Sequence, residues 1–170
     1  MLLKAIIGIM FIANSLVFAV EPKAKMFFQK PSEQDTEIYN FLKGDQDIQL
    51  AVDSLNDNLK LSSDLNIIFN SVTDKDTGPY YDSYTKEVII PYHFWNYVKK
   101  VSALHFNNNE KLNEQKVFIK NVLLHTLYHE IAHYLIDTLK LPITGIEENV
   151  ADEFAALSII QNYQNSESLS

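Results

Sequence analysis

The chain contains no cysteine and no arginine. Without cysteine there can be no disulfide, no thiolate metal site, no cysteine nucleophile and no lipidated amino-terminal cysteine. The core must therefore supply the stability of any folded form. All fourteen basic residues are lysines, and they face 22 acids for a formal charge of −8. Nucleic-acid binding usually leaves a basic stripe with arginine forks, and this chain has neither. An acidic surface is also a poor match for anionic lipid headgroups. What is present is a chain of 170 residues, 46% hydrophobic and 12% aromatic, which is enough apolar material for one domain with a real core.

Residues 1–19 have the three parts of a secretory signal. Lys4 gives the positive start, an apolar run extends from Ala5 to Phe18, and Val17-Phe18-Ala19 offers a peptidase site. The expectation is an exported protein, periplasmic or secreted, cleaved after Ala19. The apolar run falls short of the ~20 residues of a spanning helix, and Asn14 and Ser15 interrupt it. Membrane attachment follows only if the segment stays uncleaved.

Pro22, Pro31 and scattered lysines mark residues 20–34 as a linker. A folded domain is expected over residues 35–165, with a serine-rich tail at 166–170. Asp35 to Leu42 reads as a short helix stopped by Gly44. Asp45 is placed to cap a second helix, in which Ile48, Val52, Leu55 and Leu59 recur at helical spacing. Leu65 to Phe69 reads as a strand. Tyr80–Tyr84 and Glu87–Pro91 read as a hairpin turning near Thr85-Lys86, with Pro91 ending its strand or marking a sheet edge. After a helix near 94–104 and the polar break Asn107-Asn108-Asn109, a long helix is predicted from Leu112 to Leu139. It contains neither glycine nor proline and is closed by Pro142. A last helix covers about Ile146 to Tyr163. This order predicts an α+β fold.

The long helix carries His129-Glu130-Ile131-Ala132-His133. Residues four apart share a helix face with roughly 6 Å between their side-chain roots, so two imidazoles can meet one zinc ion. Glu130 can reach a water on the open coordination position and act as general base. Two histidines flanking a glutamate are ordinary on a solvated face. Here Val122, Leu123, Leu124, Leu127, Ile131, Leu135 and Ile136 surround them, and buried histidines need partners. A third ligand is sought in Thr144-Gly145-Ile146-Glu147-Glu148-Asn149-Val150-Ala151-Asp152. Thr144 and Glu147 have capping-box spacing, which gives Glu147 a structural task and leaves Glu148 as the ligand. Asp152 lies one turn on, placed to accept the free N–H of a ligating histidine. Ala151 and Ala155 are small enough for two helices to approach closely. The plainer reading is that these acids only favour a helix N-terminus.

His-Glu-x-x-His followed by a glutamate with an aspartate four residues on resembles the gluzincin metallopeptidases. A closer likeness is to a family of bacterial exported metallopeptidase-type proteins. Their run of His-Glu-x-x-His, Leu-Pro and Glu-Glu-x-x-Ala-Asp is matched here by residues 129–133, Leu141-Pro142 and residues 147–152. The hairpin from Tyr80 to Tyr92 is similar too, and the likeness spans roughly residues 65–160. Ala132 stands where such families often have glycine. The resemblance implies zinc bound by His129, His133 and Glu148, Glu130 as general base, and a zincin-like fold. That fold is expected to have a small antiparallel sheet, a long active-site helix and a following C-terminal helix.

The expected activity is zinc-dependent hydrolysis of a peptide or protein substrate. The alternative is a non-catalytic exported zinc-binding protein with a structural or sensory site, which would need no general base. Hydrolysis of a non-peptide amide, such as a cell-wall linkage, is a third reading. Tyr80, Tyr81, Tyr84, Tyr92, Tyr128 and His93 are candidates for stabilising an oxyanion. His125, one turn before His129, reads as a packed histidine or a supporting group. His105 shows no partner. Asp137 reads as a support of the site or a member of a solvated face. The strand near Glu87–Ile90, taken as an edge, would offer pairing to an extended peptide.

Overall fold

The computed structural model describes residues 21–72, 74, 76–106 and 112–168. The expected signal segment and the Asn107-Asn108-Asn109 break lie outside the described residues. In chain order the elements are β1 Ala24–Phe28, a 3-10 turn Glu33–Asp35, α1 Thr36–Gly44, α2 Gln46–Asn58, β2 Leu65–Asn70, β3 Tyr80–Asp82, β4 Glu87–Pro91, α3 Tyr92–His105, α4 Leu112–Leu139 and α5 Glu147–Ser168. The fold is α+β, as its sequence order predicts, and the bounds of α4 are those expected. Asp45 caps α2, its carboxylate accepting the backbone N–H groups of Asp47 and Ile48. The last helix runs further than expected, to Ser168.

The sheet differs from the expectation. Its order is β1-β2-β4-β3; β1 and β4 both run parallel to β2, and only β3 is antiparallel, on β4. The sheet is therefore mixed. The chain between β1 and β2 is helical, and such a crossover returns it to the starting end of the sheet, which makes the two strands parallel. That pairing was hidden because residues 20–34, read as a linker, contain β1. Its first residue is tied to α2 at both backbone groups. Ala24 N–H donates to Asn56 Oδ1 at 2.8 Å, and Asn56 Nδ2 donates to the Ala24 carbonyl at 3.0 Å.

β4 is likewise not an edge. It pairs with β2 on one side and β3 on the other, so an extended peptide cannot add to it. Pro91 marks the end of the strand, where its extended backbone also serves as the N-cap of α3.

The core lies between one sheet face and the helices. Leu65, Ile67 and Phe69 alternate along β2 with no exposure, and they cluster with Leu42, Ile48, Trp95, Leu123, Leu127 and Ile131. α4 is the central helix, in contact with α3, β3, β4 and α5. Its end is closed by a left-handed residue, Lys140 at φ 51°, with Leu141 N–H bonded back to the Ile136 carbonyl at 3.1 Å. Ala151 and Ala155 of α5 are fully buried, which permits the close helix approach that their size suggests.

The β3–β4 hairpin is anchored to α4 through Asp137. The Asp137 carboxylate accepts from Lys86, from Tyr81 Oη at 2.7 Å and from Lys140 at 3.1 Å. Lys86 first, then Tyr81 and Lys140, hold this carboxyl well below the usual carboxylate range.

Two outcomes are expected. Asn56→Ala strands both backbone groups of the buried Ala24 and should cost about 1–3 kcal/mol in urea unfolding; an unchanged midpoint would mean that water replaces both bonds. Asp137 has a depressed folded-state pKa, so its contribution is complete above the unfolded value of ~3.9 and is lost as pH falls toward the folded one. The stability gap between the parent and Asp137→Asn should hold steady down to about pH 5 and narrow below about pH 4. A gap that persists to the acid end of a urea series would assign it to packing instead of charge.

Candidate metal centre

The middle of α4 is buried on nearly every side: Leu127, Ile131 and Tyr134 have no exposure, and Tyr128, Ala132 and Leu135 have little. One stripe escapes this and faces α5. It carries His129 and His133, whose side chains are 19% and 14% exposed. The loop after α4 turns the chain back through Gly145, at φ 158°, and starts α5 directly opposite the two imidazoles.

The first turns of α5 bring three carboxylates to those rings. Asp152 Oδ1 lies 2.8 Å from His129 Nδ1, and Glu147 Oε1 lies 2.7 Å from His133 Nδ1. An ionised carboxylate can only accept, so in both rings Nδ1 is the donor. In the neutral rings this leaves the Nε2 lone pairs free. The two Nε2 atoms are 3.2 Å apart, and Glu148 Oε2 stands 3.1 Å from that of His129 and 3.6 Å from that of His133. Three electron-pair donors thus converge on one point. His129, His133 and Glu148 form a group that can hold a metal ion.

The expected positions of Glu148 and Asp152 agree with this arrangement, and that of Glu147 does not. α5 begins at Glu147 itself, so its cap position is Ile146 and the Thr144–Glu147 capping box is not formed. The Glu147 carboxylate instead meets His133, in the same relation as Asp152 to His129. Glu147 and Glu148 satisfy the local preference for acids in a first helical turn, and sequence spacing alone does not reveal the additional task of Glu147.

Glu130, between the two histidines, points toward the sheet. It is 7% exposed. Burial pushes the Glu130 carboxyl above the usual carboxylate range. His129 and His133 oppose that shift, Glu148 adds to it, and the Tyr81 N–H opposes it.

The remaining candidates are dispersed. Tyr81 Oη is engaged by Asp137, while Tyr92 Oη donates to the Gln29 carbonyl at the far end of the parallel strands. Tyr128 packs against Phe154, Tyr84 is exposed at the hairpin turn, and Tyr80 is exposed on β3. His93 belongs to the first turn of α3, and His105 stacks edgewise on Phe106. His125 lies beside the metal group, its ring 6.3 Å from that of His129. A separate cavity of about 240 Å³, between α1, α3 and α4, is lined by Ile38, Phe41, Asn96, Lys99 and Ile119 and by none of the metal group. The metal group is instead open to solvent on the α5 side, where Glu148 is 66% exposed.

No curated protein and no solved structure matches the chain. One family model does, over residues 27–170, a span that includes the sheet, the histidine pair and the three carboxylates of α5. The description of that family implies a metal, in accord with the converging donors. The chain belongs to the family described as "Putative metallopeptidase".

Proposed function

We propose that this protein is a zinc-dependent peptidase in which His129, His133 and Glu148 hold the metal and Glu130 is the general base. The observation that carries the reading is the convergence of two imidazole Nε2 atoms and a carboxylate oxygen at 3.1–3.6 Å. Tetrahedral zinc with bonds of about 2.0–2.1 Å requires its ligand atoms about 3.3 Å apart. Three unprotonated acceptors at that spacing repel one another unless a cation lies between them. Two nitrogens and one carboxylate oxygen also form the donor set of hydrolytic zinc sites.

When bound, zinc supplies Lewis acidity that polarises a carbonyl and makes a water acidic near neutrality. The chain contributes the rest. Asp152 and Glu147 fix the tautomer and tilt of the two imidazoles. Glu130 takes the proton of the attacking water and passes it to the departing amine, which is the role of a carboxylate with a raised pKa beside the reacting atoms. Its burial keeps bulk water from competing for that proton.

The same features support a zincin-like fold and a gluzincin type of site. The histidine pair lies on one long helix, and Glu148 lies four residues before Asp152 on the next. The signal-like residues 1–19 support export to the periplasm or beyond.

Elemental analysis of protein purified without chelator should find one zinc per chain in the parent and none in Glu148→Ala. Glu147→Gln and Asp152→Asn should bind zinc about 10–100-fold more weakly in chelator competition. No zinc in the parent, even after incubation with it, would overturn the reading. Glu130→Gln should keep its zinc and lose at least about 100-fold in hydrolysis of a quenched peptide library. If the parent binds zinc but cleaves no more than Glu130→Gln, the site is structural or sensory.

A further inference from the structure

The seam between α4 and α5 continues past the metal group. On α4, positions 118, 122, 125, 129 and 133 are separated by four, three, four and four residues, so they form one stripe of the helix. On α5, Glu148, Asp152, Ala155 and Ile159 form another. The two stripes run antiparallel, because Glu147 meets His133 while Asp152, further along α5, meets His129. Toward the start of α4 the seam opens into a crevice of about 370 Å³. It is lined by Phe118, Asn121, Val122, His125 and Thr126 of α4 and by Ile159 of α5, and its surface is mostly apolar.

The crevice and the metal group share a wall. The His125 ring lines the crevice and lies 6.3 Å from the His129 ring, at 29° to its plane. His125 is not one of the converging donors. At a rise of about 1.5 Å per residue, His125 and Val122 lie roughly 6 and 10 Å along the helix from His129. An extended peptide advances about 3.3 Å per residue, so those distances correspond to about two to three residues of a chain bound at the metal group. Val122 and Ile159 are half-buried and pack against the core, which fixes the crevice walls before a ligand arrives. A hollow of this kind rewards an apolar side chain that leaves water to enter it.

We infer that the crevice is the specificity pocket of the metal centre. It receives a bulky apolar side chain, leucine or phenylalanine, placed within three residues of the peptide bond to be cleaved. This rests on the reading of the metal group as a peptidase centre.

The test uses the zinc-loaded full chain and two probes. One is a quenched peptide library varied at three positions on either side of the scissile bond. The other is N-acetyl-triglycine hydroxamate, a metal-directed ligand whose binding needs no hydrolysis, with leucine replacing one glycine at a time. In the parent, leucine or phenylalanine at one position should raise kcat/KM over alanine by about 10–100-fold, and one leucine hydroxamate should bind more tightly than triglycine by a similar factor. Val122→Phe, which fills the crevice, should abolish both preferences while zinc content and triglycine hydroxamate binding stay as in the parent. Ile159→Ala, which enlarges it, should move the preference from leucine toward phenylalanine.

Cleavage without an apolar preference, or a preference that both variants leave untouched, would overturn the inference and spare the peptidase reading. A hydroxamate preference that Val122→Phe removes, in a parent that cleaves no peptide, would uphold the crevice as a ligand pocket and refute the peptidase reading. If Val122→Phe fails to keep zinc, the shift in Ile159→Ala decides alone. A parent dimer that Val122→Phe converts to a monomer on size exclusion would make the crevice an interface between copies and overturn the inference.

Discussion

Polar groups carried on a buried helix must find partners, and that constraint organises this protein. α4 passes between the sheet and α5 with its central turns almost wholly covered, yet it carries two imidazoles and a carboxylate there. An unpartnered buried polar group costs roughly 1–3 kcal/mol, and a charged one more. The two imidazoles are answered from outside the helix: His129 by Asp152 and His133 by Glu147. The two histidines require α5 to begin where it does, and Asp137 ties the β3–β4 hairpin to α4. The elements flanking α4 are therefore set by chemistry as much as by apolar packing.

The α4–α5 contact has two parts of different character. Deep in the pair, Ala151 and Ala155 are fully buried and bring the backbones close. At the mouth, Glu147, Glu148 and Asp152 gather three negative charges in the first two turns of α5, where the positive end of the helix dipole partly offsets their repulsion. In a chain already at −8, such a cluster invites a cation. A metal on His129, His133 and Glu148 would cross-link the helices, so its binding energy would also secure α5. The exposure of Glu148, at 66%, leaves that position accessible from solvent.

Much of this was legible in the sequence because it is local. The limits of α4, the Asp45 cap and the β3–β4 turn each follow from residues within a few positions of one another. The histidine pair is legible for the same reason, and Glu148 and Asp152 follow from spacing within a single helix. Long-range relations were not legible. β1 looks like a linker because Lys23, Lys25 and the flanking prolines mask Met26-Phe27-Phe28. Its strand character comes from parallel pairing with β2 and from Asn56, 32 residues away. The parallel sheet was lost with it. Glu147 was given a cap because a first-turn acid needs no further explanation, and its meeting with His133 depends on how the preceding loop folds.

Asp137 shows how a local rule yields to a tertiary one. An acid in the last turn of a helix opposes the helix dipole, and nothing in its own segment calls for it. Two lysines answer its charge, Lys86 in the hairpin turn and Lys140 just past the helix, and both adopt left-handed backbone at φ 60° and 51°. That conformation costs a non-glycine residue roughly 1–2 kcal/mol. Three locally unfavourable choices thus meet at one carboxylate. Their common product is a hairpin held to the helix beside Glu130, through the Tyr81 hydroxyl that Asp137 also accepts. Departures from local preference tend to gather where a structure serves a function. Here they lie one helical turn beyond His133, on the element that carries the proposed base.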